Sequence, residues 1–359
     1  MIPRFWLAPF SLGYAAGLFL WEEAYRRGIL PTERLSVPVI GVGGITVGGA
    51  GKTPTTLCIL ESLIRKGLTP GVLTRGYGRR EKTPEPFLFR GNEGFSTDVT
   101  GDEPAMMSRR FPEVLFCISA DRAKGGQALV DRGANVVLLD DGFQSLELYQ
   151  DLRVVLLPEK KLSSGISSLF HLLPAGDLRD FPGRLKQADV LVRLEQAMEK
   201  EHPDAAPDFP DCYRVFLSPG SVFMSATVRP SALLGRDGRF SPVEELRGKN
   251  VVLVSGIARP QRFRRMAESC GARVLGHLEL PDHVLYTNAI LSRIRSWIQE
   301  IESTGQSEIH QVLVTEKDWV KLCRYSERDS RVQAFIVRMD WNDSAQWEKL
   351  LEEKPGRAS

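Results

Sequence analysis

Hydrophobic and polar positions along this chain follow two periods that replace each other in turn. Short, nearly continuous apolar runs recur at "SVPVIGVGGI" (residues 36–45), "GVLTRGYG" (from Gly71), "VLFCIS" (from Val114), "NVVLLDDGF" (from Asn135) and "LRVVLLP" (from Leu152). Runs of this length, rich in β-branched residues, predict strands buried on both faces. Between several of them the spacing becomes helical. "GKTPTTLCILESLIRKG" sets Leu57, Leu60 and Ile64 on one face and stops at Gly67, and residues 123–132 read as another helix. This alternation predicts an α/β fold with a mostly parallel, doubly wound sheet.

A Pro- and Asp-rich stretch, "EKEHPDAAPDFPDC" (residues 199–212), reads as a linker. Beyond it, "KNVVLVSGIARPQRF" and "HQVLVTEKDWVKL" give further strand–turn–helix units. The expected organisation is an N-terminal apolar helix (1–30), a core domain (31–212), a smaller second α/β domain (213–342), and a helix end with a tail (343–359). No internal repeat or low-complexity tract interrupts this pattern.

The N-terminus departs from a plain globular pattern. "FWLAPFSLGYAAGLFLW", from Phe5 to Trp21, carries no charge, and Arg4 precedes it. A signal peptide is disfavoured, because "EEAYRRG" follows where a small-residue cleavage site is needed. A spanning helix wants roughly 20 apolar residues, and Pro9 stands near the start of this one. An interfacial helix anchored by Trp6, Trp21, Tyr25, Arg26 and Arg27 fits better. A helix buried against the domain is the other reading.

Composition narrows the function classes. The net charge is +2 over 359 residues, which excludes a nucleic-acid binder that works by bulk charge. The five cysteines stand far apart with no CxxC pair, so they read as buried thiols in a reducing compartment.

Candidate chemistry starts at "GGITVGGAGKTPTT" (residues 43–56), which contains Gly51-Lys52-Thr53, the tail of a phosphate-binding loop. A strand, a glycine-rich turn and a helix N-terminus aim backbone N–H groups at one anion. The cradle would be Thr46, Val47, Gly48, Gly49, Ala50, Gly51, Lys52, Thr53 and Pro54. Lys52 would reach the β/γ-phosphates of ATP and the Thr53 hydroxyl would hold Mg²⁺. Pro54 falls in the first helical turn, where a missing N–H costs little. The strict pattern wants glycine five places before Gly51, and Thr46 stands there instead.

"VVLLDDGFQS" ends an apolar strand in Asp140 and Asp141, at the sheet edge where Walker-B acids bind Mg²⁺. In "TGDEP", Asp102 and Glu103 are adjacent and cannot face one point, so one carboxylate suits a metal and the other an attacking hydroxyl. "PDH" brings His283, a residue able to accept or orient a proton near neutral pH. Arg75, Arg79 and Arg80 around Tyr77, with Arg122 of "SADR", could clamp an anionic group.

Taken together and in order, "ITVGGAGKTP", "TRGYGR", "TGDEP", "SADR", "DDGFQ", "LLPAGDLRD", "SGIARPQRF", "PDH" and "TEKDWVKL" resemble the bacterial tetraacyldisaccharide 4'-kinase family, the lipid A 4'-kinase. The resemblance runs from Ile45 to Leu322. In that family the loop also begins with threonine, so Thr46 marks a variant loop rather than a broken one. The resemblance implies a P-loop NTPase-like fold and transfer of the γ-phosphate of ATP to a tetraacyldisaccharide 1-phosphate, giving lipid IVA. It implies a site at the cytoplasmic face of the bacterial inner membrane, a membrane-embedded acylated substrate, and no nucleic-acid or obligate protein partner. It makes Asp102 the catalytic base with His283 as its partner, gives Lys52 and Thr53 to ATP and Mg²⁺, and Glu103, Asp140 and Asp141 to the metal. Tyr77, Arg75, Arg122 and Arg179 fall to the substrate. The family usually reads DDGFQH, whereas this chain has Ser145 in the last place, which changes the substrate contact expected there.

Two rivals remain at this level. A soluble P-loop ATPase or GTPase of the switch or metal-chaperone type also reads GG-x-GKT. The versions that dimerise over nucleotide carry lysine where this chain has Val47, and "TEKD" has its lysine one place too late for guanine recognition. A membrane-bound scaffold with a decayed nucleotide site is the second, and the intact Lys52, Thr53, Asp140 and Asp141 speak against decay.

Overall fold

The computed structural model describes residues 5–48, 51–77, 79, 84–158, 171–196, 213, 216, 218–303, 308–322 and 329–353. The expected linker, with Gly49, Ala50 and Arg80, lies outside them.

The first half is built on β1 (Val39–Gly44), β2 (Pro70–Thr74), β3 (Phe87–Arg90), β4 (Leu115–Ile118), β5 (Val136–Asp140), β6 (Leu152–Leu156) and β7 (Val190–Gln196). Its helices are α1 (Ala8–Arg26), α2 (Lys52–Arg65), α3 (Thr97–Thr100), α4 (Asp102–Arg110) and α5 (Arg122–Val130). The second half holds β8 (Val222–Leu234), β9 (Phe240–Ser241), β10 (Asn250–Ser255), β11 (Arg273–Glu279), β12 (Gln311–Thr315) and β13 (Val332–Trp341). With these run α6 (Pro260–Ser269), α7 (Asn288–Ser303), α8 (Glu316–Leu322) and α9 (Ser344–Glu353).

A single sheet of 13 strands passes through both halves in the order β11-β10-β12-β13-β8-β7-β6-β1-β5-β2-β4-β3, with β9 on β8. The pairs within each half are parallel, apart from β3 on β4, β9 on β8 and β13 on β8. The halves meet where β8 runs parallel to β7 and antiparallel to β13. The predicted parallel α/β sheet is therefore present. The strand that joins the halves starts by completing the first sheet and ends inside the second.

Burial explains the central strands. All residues of β1, β2, β4 and β5 are buried, because helices cover both faces of a parallel sheet. The last helix closes the first core rather than fraying from the second. Trp347 is 1 % exposed, stacks on Trp341 with ring centroids 4.5 Å apart, and donates from Nε1 to Ser62 Oγ at 3.3 Å. Lys66, which caps the end of α2, pairs with Glu348 and Glu352 of α9. The C-terminal helix thus buttresses the helix that follows the phosphate loop.

The N-terminal helix packs on the domain by one face and leaves the other uncovered. One face docks: Ser11 and Ala15 are buried, and Ser11 Oγ donates to Leu172 O at 3.0 Å and accepts from Ala175 N at 3.1 Å. Tyr14 OH donates to Arg179 O at 2.9 Å. The outer face is apolar and uncovered, with Trp6, Phe10, Leu12, Phe19 and Leu20 each at least 50 % exposed. No helix among the described residues is long and apolar enough to cross a membrane.

Candidate active site

The chemistry-bearing residues collect at the C-terminal edge of the sheet, where a doubly wound fold binds its ligands. Past the end of β1, residues 45–47 run beside 177–179: Arg179 N donates to Ile45 O at 2.8 Å and Val47 N to Asp177 O at 2.9 Å. Thr46 is buried within this pairing. A buried threonine with a strand partner explains how the loop does without its first glycine. Gly51 caps α2 at φ 85°, where any other residue would be strained, and a Cβ there would also displace Leu194 Cδ1, 2.0 Å away. Gly48, also at positive φ, faces Ala258 of the second half, whose Cβ would be 3.8 Å from a Cβ placed on it. Lys52, Thr53 and Pro54 form the first turn of α2, with the lysine at the helix start that favours anions.

Lys52 Nζ donates to Asp141 Oδ1 at 2.8 Å. Arg179 grips the same carboxylate with both terminal nitrogens and donates from Nε to Gly44 O at 2.9 Å. Burial would raise the Asp141 carboxyl, but the Arg179 bonds and the Lys52 charge hold it far below the usual carboxylate range. Asp140 is different. It is 3 % exposed and accepts from Thr56 Oγ1 at 2.9 Å. Burial, with the nearby charges of Glu103 and Asp141, pushes its carboxyl up to about 7. That surplus of acid suits a cation. Even so, among the described residues no group of three His, Cys, Asp or Glu converges as a ligand set.

The second cluster centres on Asp102, the first residue of α4, which follows Gly101 at φ 87°. A Cβ on Gly101 would meet Tyr77 O at 2.8 Å, so the "TRGYG" and "TGDEP" turns press together here. His283 Nδ1 lies 3.3 Å from Asp102 Oδ2, and Lys321 Nζ donates to the same oxygen at 3.0 Å. Both of these contacts fall on Oδ2, on one side of the carboxylate. Burial would raise the Asp102 carboxyl, but the His283 bond and the Lys321 ammonium outweigh it and keep it below its ordinary value. His283 sits at φ 59°, a conformation that surrounding contacts must hold in a non-glycine residue. The Tyr77 ring meets its imidazole edge-on at 5.1 Å.

The remaining candidates divide. Arg122 is fully buried, and its Nη2 lies 3.4 Å from Asp140 O while Nε and Nη1 have no partner. Burial and the charge of Arg75 draw its guanidinium down to about 10. Unpaired buried donors are costly, and this arginine carries two of them among the described residues. Arg75 is more than half exposed, 3.9 Å from Glu147. Arg179, expected at the substrate, is engaged by Asp141 and the β1 terminus instead. Ser145 is 1 % exposed and its Oγ is buried without a partner, so the structure turns it inward rather than into the cleft. Sequence reading passed over Lys317 and Lys321, whose signal was four-residue spacing within "TEKDWVKL", and Thr56, one turn beyond Lys52.

Comparison with known proteins agrees with this geometry. Residues 3–355 match the family model described as LpxK, tetraacyldisaccharide-1-P 4'-kinase. Tetraacyldisaccharide 4'-kinase of Syntrophus aciditrophicus is 33 % identical over 324 residues, covering 88 % of this chain and 83 % of that protein. The Gluconobacter oxydans enzyme of the same name is 32 % identical over 362 residues, covering 98 % and 97 %. The solved structure described as the "apo" form of LpxK from Aquifex aeolicus in complex with ATP superposes with a TM-score of 0.74 at 28 % identity, covering 98 % of this chain and 99 % of that one. A match across nearly the whole length favours the kinase over the switch-type ATPase, and the chain belongs to the tetraacyldisaccharide-1-P 4'-kinase family.

Proposed function

We propose that this protein transfers the γ-phosphate of ATP to the 4'-hydroxyl of a tetraacylated disaccharide 1-phosphate, with Asp102 as the base. The observation that carries the reading is the Asp102 carboxylate, kept ionised by its neighbours and held by His283 and Lys321 through Oδ2, on the same sheet edge as the Lys52 loop. Phosphoryl transfer asks for positioning and charge neutralisation more than covalent chemistry. In this reading the loop amides and Lys52 hold the triphosphate, Asp102 Oδ1 takes the acceptor hydroxyl proton, and His283 steadies the charge. Arg122, Arg75 and Tyr77 receive the anionic disaccharide. Arg179 orients Asp141, and through it Lys52.

The acid surplus around Asp140 fits a Mg²⁺ ion that keeps most of its ligands as water and phosphate oxygens. Thr53, Glu103 and Asp140 would hold it, with Asp141 nearby, and the ion would neutralise charge on the phosphates.

The exposed apolar face of α1 supports residence in the interface of a bilayer. We place it at the cytoplasmic face of the inner membrane, where an acylated substrate stays because each buried CH₂ holds it by about 0.8 kcal/mol. The domain boundary near residue 213 is kept as a functional division, with the nucleotide loop on one side and His283 on the other. The test is transfer of radiolabelled γ-phosphate from ATP to tetraacyldisaccharide 1-phosphate in detergent micelles, with Lys52→Ala as control. Label that reaches the lipid only with Lys52 intact supports the reading; ATP hydrolysis with unlabelled lipid would overturn it.

A further inference from the structure

Two lysines of a single helix grip the Asp102–His283 pair. Lys317 and Lys321 stand four residues apart on α8, so both ammonium groups leave the same face. Lys321 Nζ donates to Asp102 Oδ2 at 3.0 Å and to Val284 O at 3.2 Å, the second bond tying it to the loop that carries His283. Lys317 Nζ donates to Asp282 Oδ1 at 3.1 Å and lies 3.0 Å from His283 Nε2. An ammonium group only donates, so Nε2 must accept. The imidazole proton therefore sits on Nδ1, the nitrogen facing Asp102, and His283 reaches Asp102 as a donor.

The helix that carries these lysines is itself locked to the second half. Asp318 N donates to Thr315 Oγ1 at 3.2 Å and Thr315 Oγ1 donates to Asp318 Oδ2 at 2.6 Å, a reciprocal cap at the start of α8. The same Asp318 oxygen accepts from Gly256 N at 2.9 Å in the loop after β10, two residues before the Ala258 that faces Gly48. From this anchorage α8 reaches across to α4 of the first half.

We propose that Lys317 and Lys321 are positioning residues for phosphoryl transfer. Lys317 fixes the Nδ1–H tautomer of His283, and Lys321 pins Asp102 through Oδ2 so that Oδ1 faces the acceptor hydroxyl. The proposal deepens the assignment of Asp102 as base and rests on it for its effect on turnover. Without Lys317, Nδ1 is free to lose its proton to Nε2, and its lone pair would then oppose a carboxylate. Without Lys321, one bond on Oδ2 remains, and the carboxylate gains freedom to rotate. Misplacement of a reacting group on this scale is costly in rate and not in nucleotide binding.

The experiment compares Lys317→Met, Lys317→Arg, Lys321→Met and Lys321→Arg in the full-length kinase. Turnover and the KM for ATP are measured alongside ¹⁵N spectra of histidine-labelled protein, with His283 assigned from His283→Gln. Both methionine variants should lose at least ~tenfold in kcat with the KM for ATP unchanged within about twofold, and arginine should restore the larger part. The wild-type His283 signal should show Nδ1–H, and Lys317→Met should move it toward Nε2–H. Lys317 is 15 % exposed, so the histidine test stands even where burial makes Lys321→Met unfold. Wild-type kcat in both methionine variants, or an unchanged His283 signal in Lys317→Met, overturns the proposal. Turnover that survives Asp102→Ala would instead remove the base assignment, while the histidine signal still decides the role of Lys317.

Discussion

Lys52 and Arg179 share one anion: both donate to the carboxylate of Asp141, the lysine from the nucleotide loop at 2.8 Å and the arginine from the segment under α1. Asp141 itself sits at φ 54° directly after β5. One residue in a left-handed backbone conformation therefore holds two cations.

Asp141→Asn should therefore do more than remove a candidate metal ligand. Two cations would be left side by side, with a destabilisation of about 1–2 kcal/mol, below the ~3–5 kcal/mol of a fully buried pair, because the Asp141 side chain is 35 % exposed. Thermal melting should fall by a few degrees, and the KM for ATP should rise as Lys52 loses its guide. An unchanged melting curve would show that the pair contributes nothing measurable.

Asp102→Asn keeps the volume of the base and removes its charge. Turnover should drop by at least about a hundredfold, within the usual range for a general base, while ATP binding measured by calorimetry stays within about twofold. Loss of ATP binding would reveal a nucleotide role for Asp102 instead.

Glu316 carries a pH dependence of stability. Burial pushes its carboxyl up to about 7, with Arg110 opposing, and Arg110 Nη1 lies 3.9 Å away. A carboxyl whose value is raised on folding stabilises the protein fully below its unfolded value, near 4.5. That contribution fades as pH rises through about 7. Melting of Glu316→Gln against wild type at pH 5 and pH 8 should show the glutamine variant gaining at the higher pH. Parallel melting shifts at both would dismiss the effect.

The outer face of α1 predicts a separable membrane phenotype. Leu20→Glu and Phe19→Lys alter residues 66 % and 58 % exposed, so folding should be unaffected. Flotation with vesicles of anionic phospholipid should recover less of the variant, while turnover on detergent-dispersed substrate stays near wild type. Equal recovery would mean that α1 is not the bilayer contact.

Legibility of the fold tracked how uniform each burial pattern is. β1, β2, β4 and β5 are buried throughout and read directly from their apolar runs. β8 escaped because its pattern is mixed and contains Pro230, as befits a strand whose two ends pair with different neighbours. In α9 the helical spacing of Trp347, Leu350 and Leu351 was present, but only tertiary packing on α2 gives it meaning. Asp102 and His283 were readable from motifs, and the structure brings them together across 181 positions of chain. Lys321 was not, since a lysine four places from another on a short helix looks like a solvated face until Asp102 arrives beside it. The burial of Ser145 was not readable either, since its place in the motif says nothing of how far the turn after β5 covers it.

The docking of α1 also changes how a truncated protein must be interpreted. Ser11 and Tyr14 bond the backbone at Leu172, Ala175 and Arg179, and Arg179 in turn restrains Asp141 and Lys52. The apolar helix and the nucleotide loop are thus successive links of one chain of contacts. Cutting away the helix removes a strut as well as an exposed apolar face, and an inactive truncation would say as much about the slackened loop as about the face that was lost.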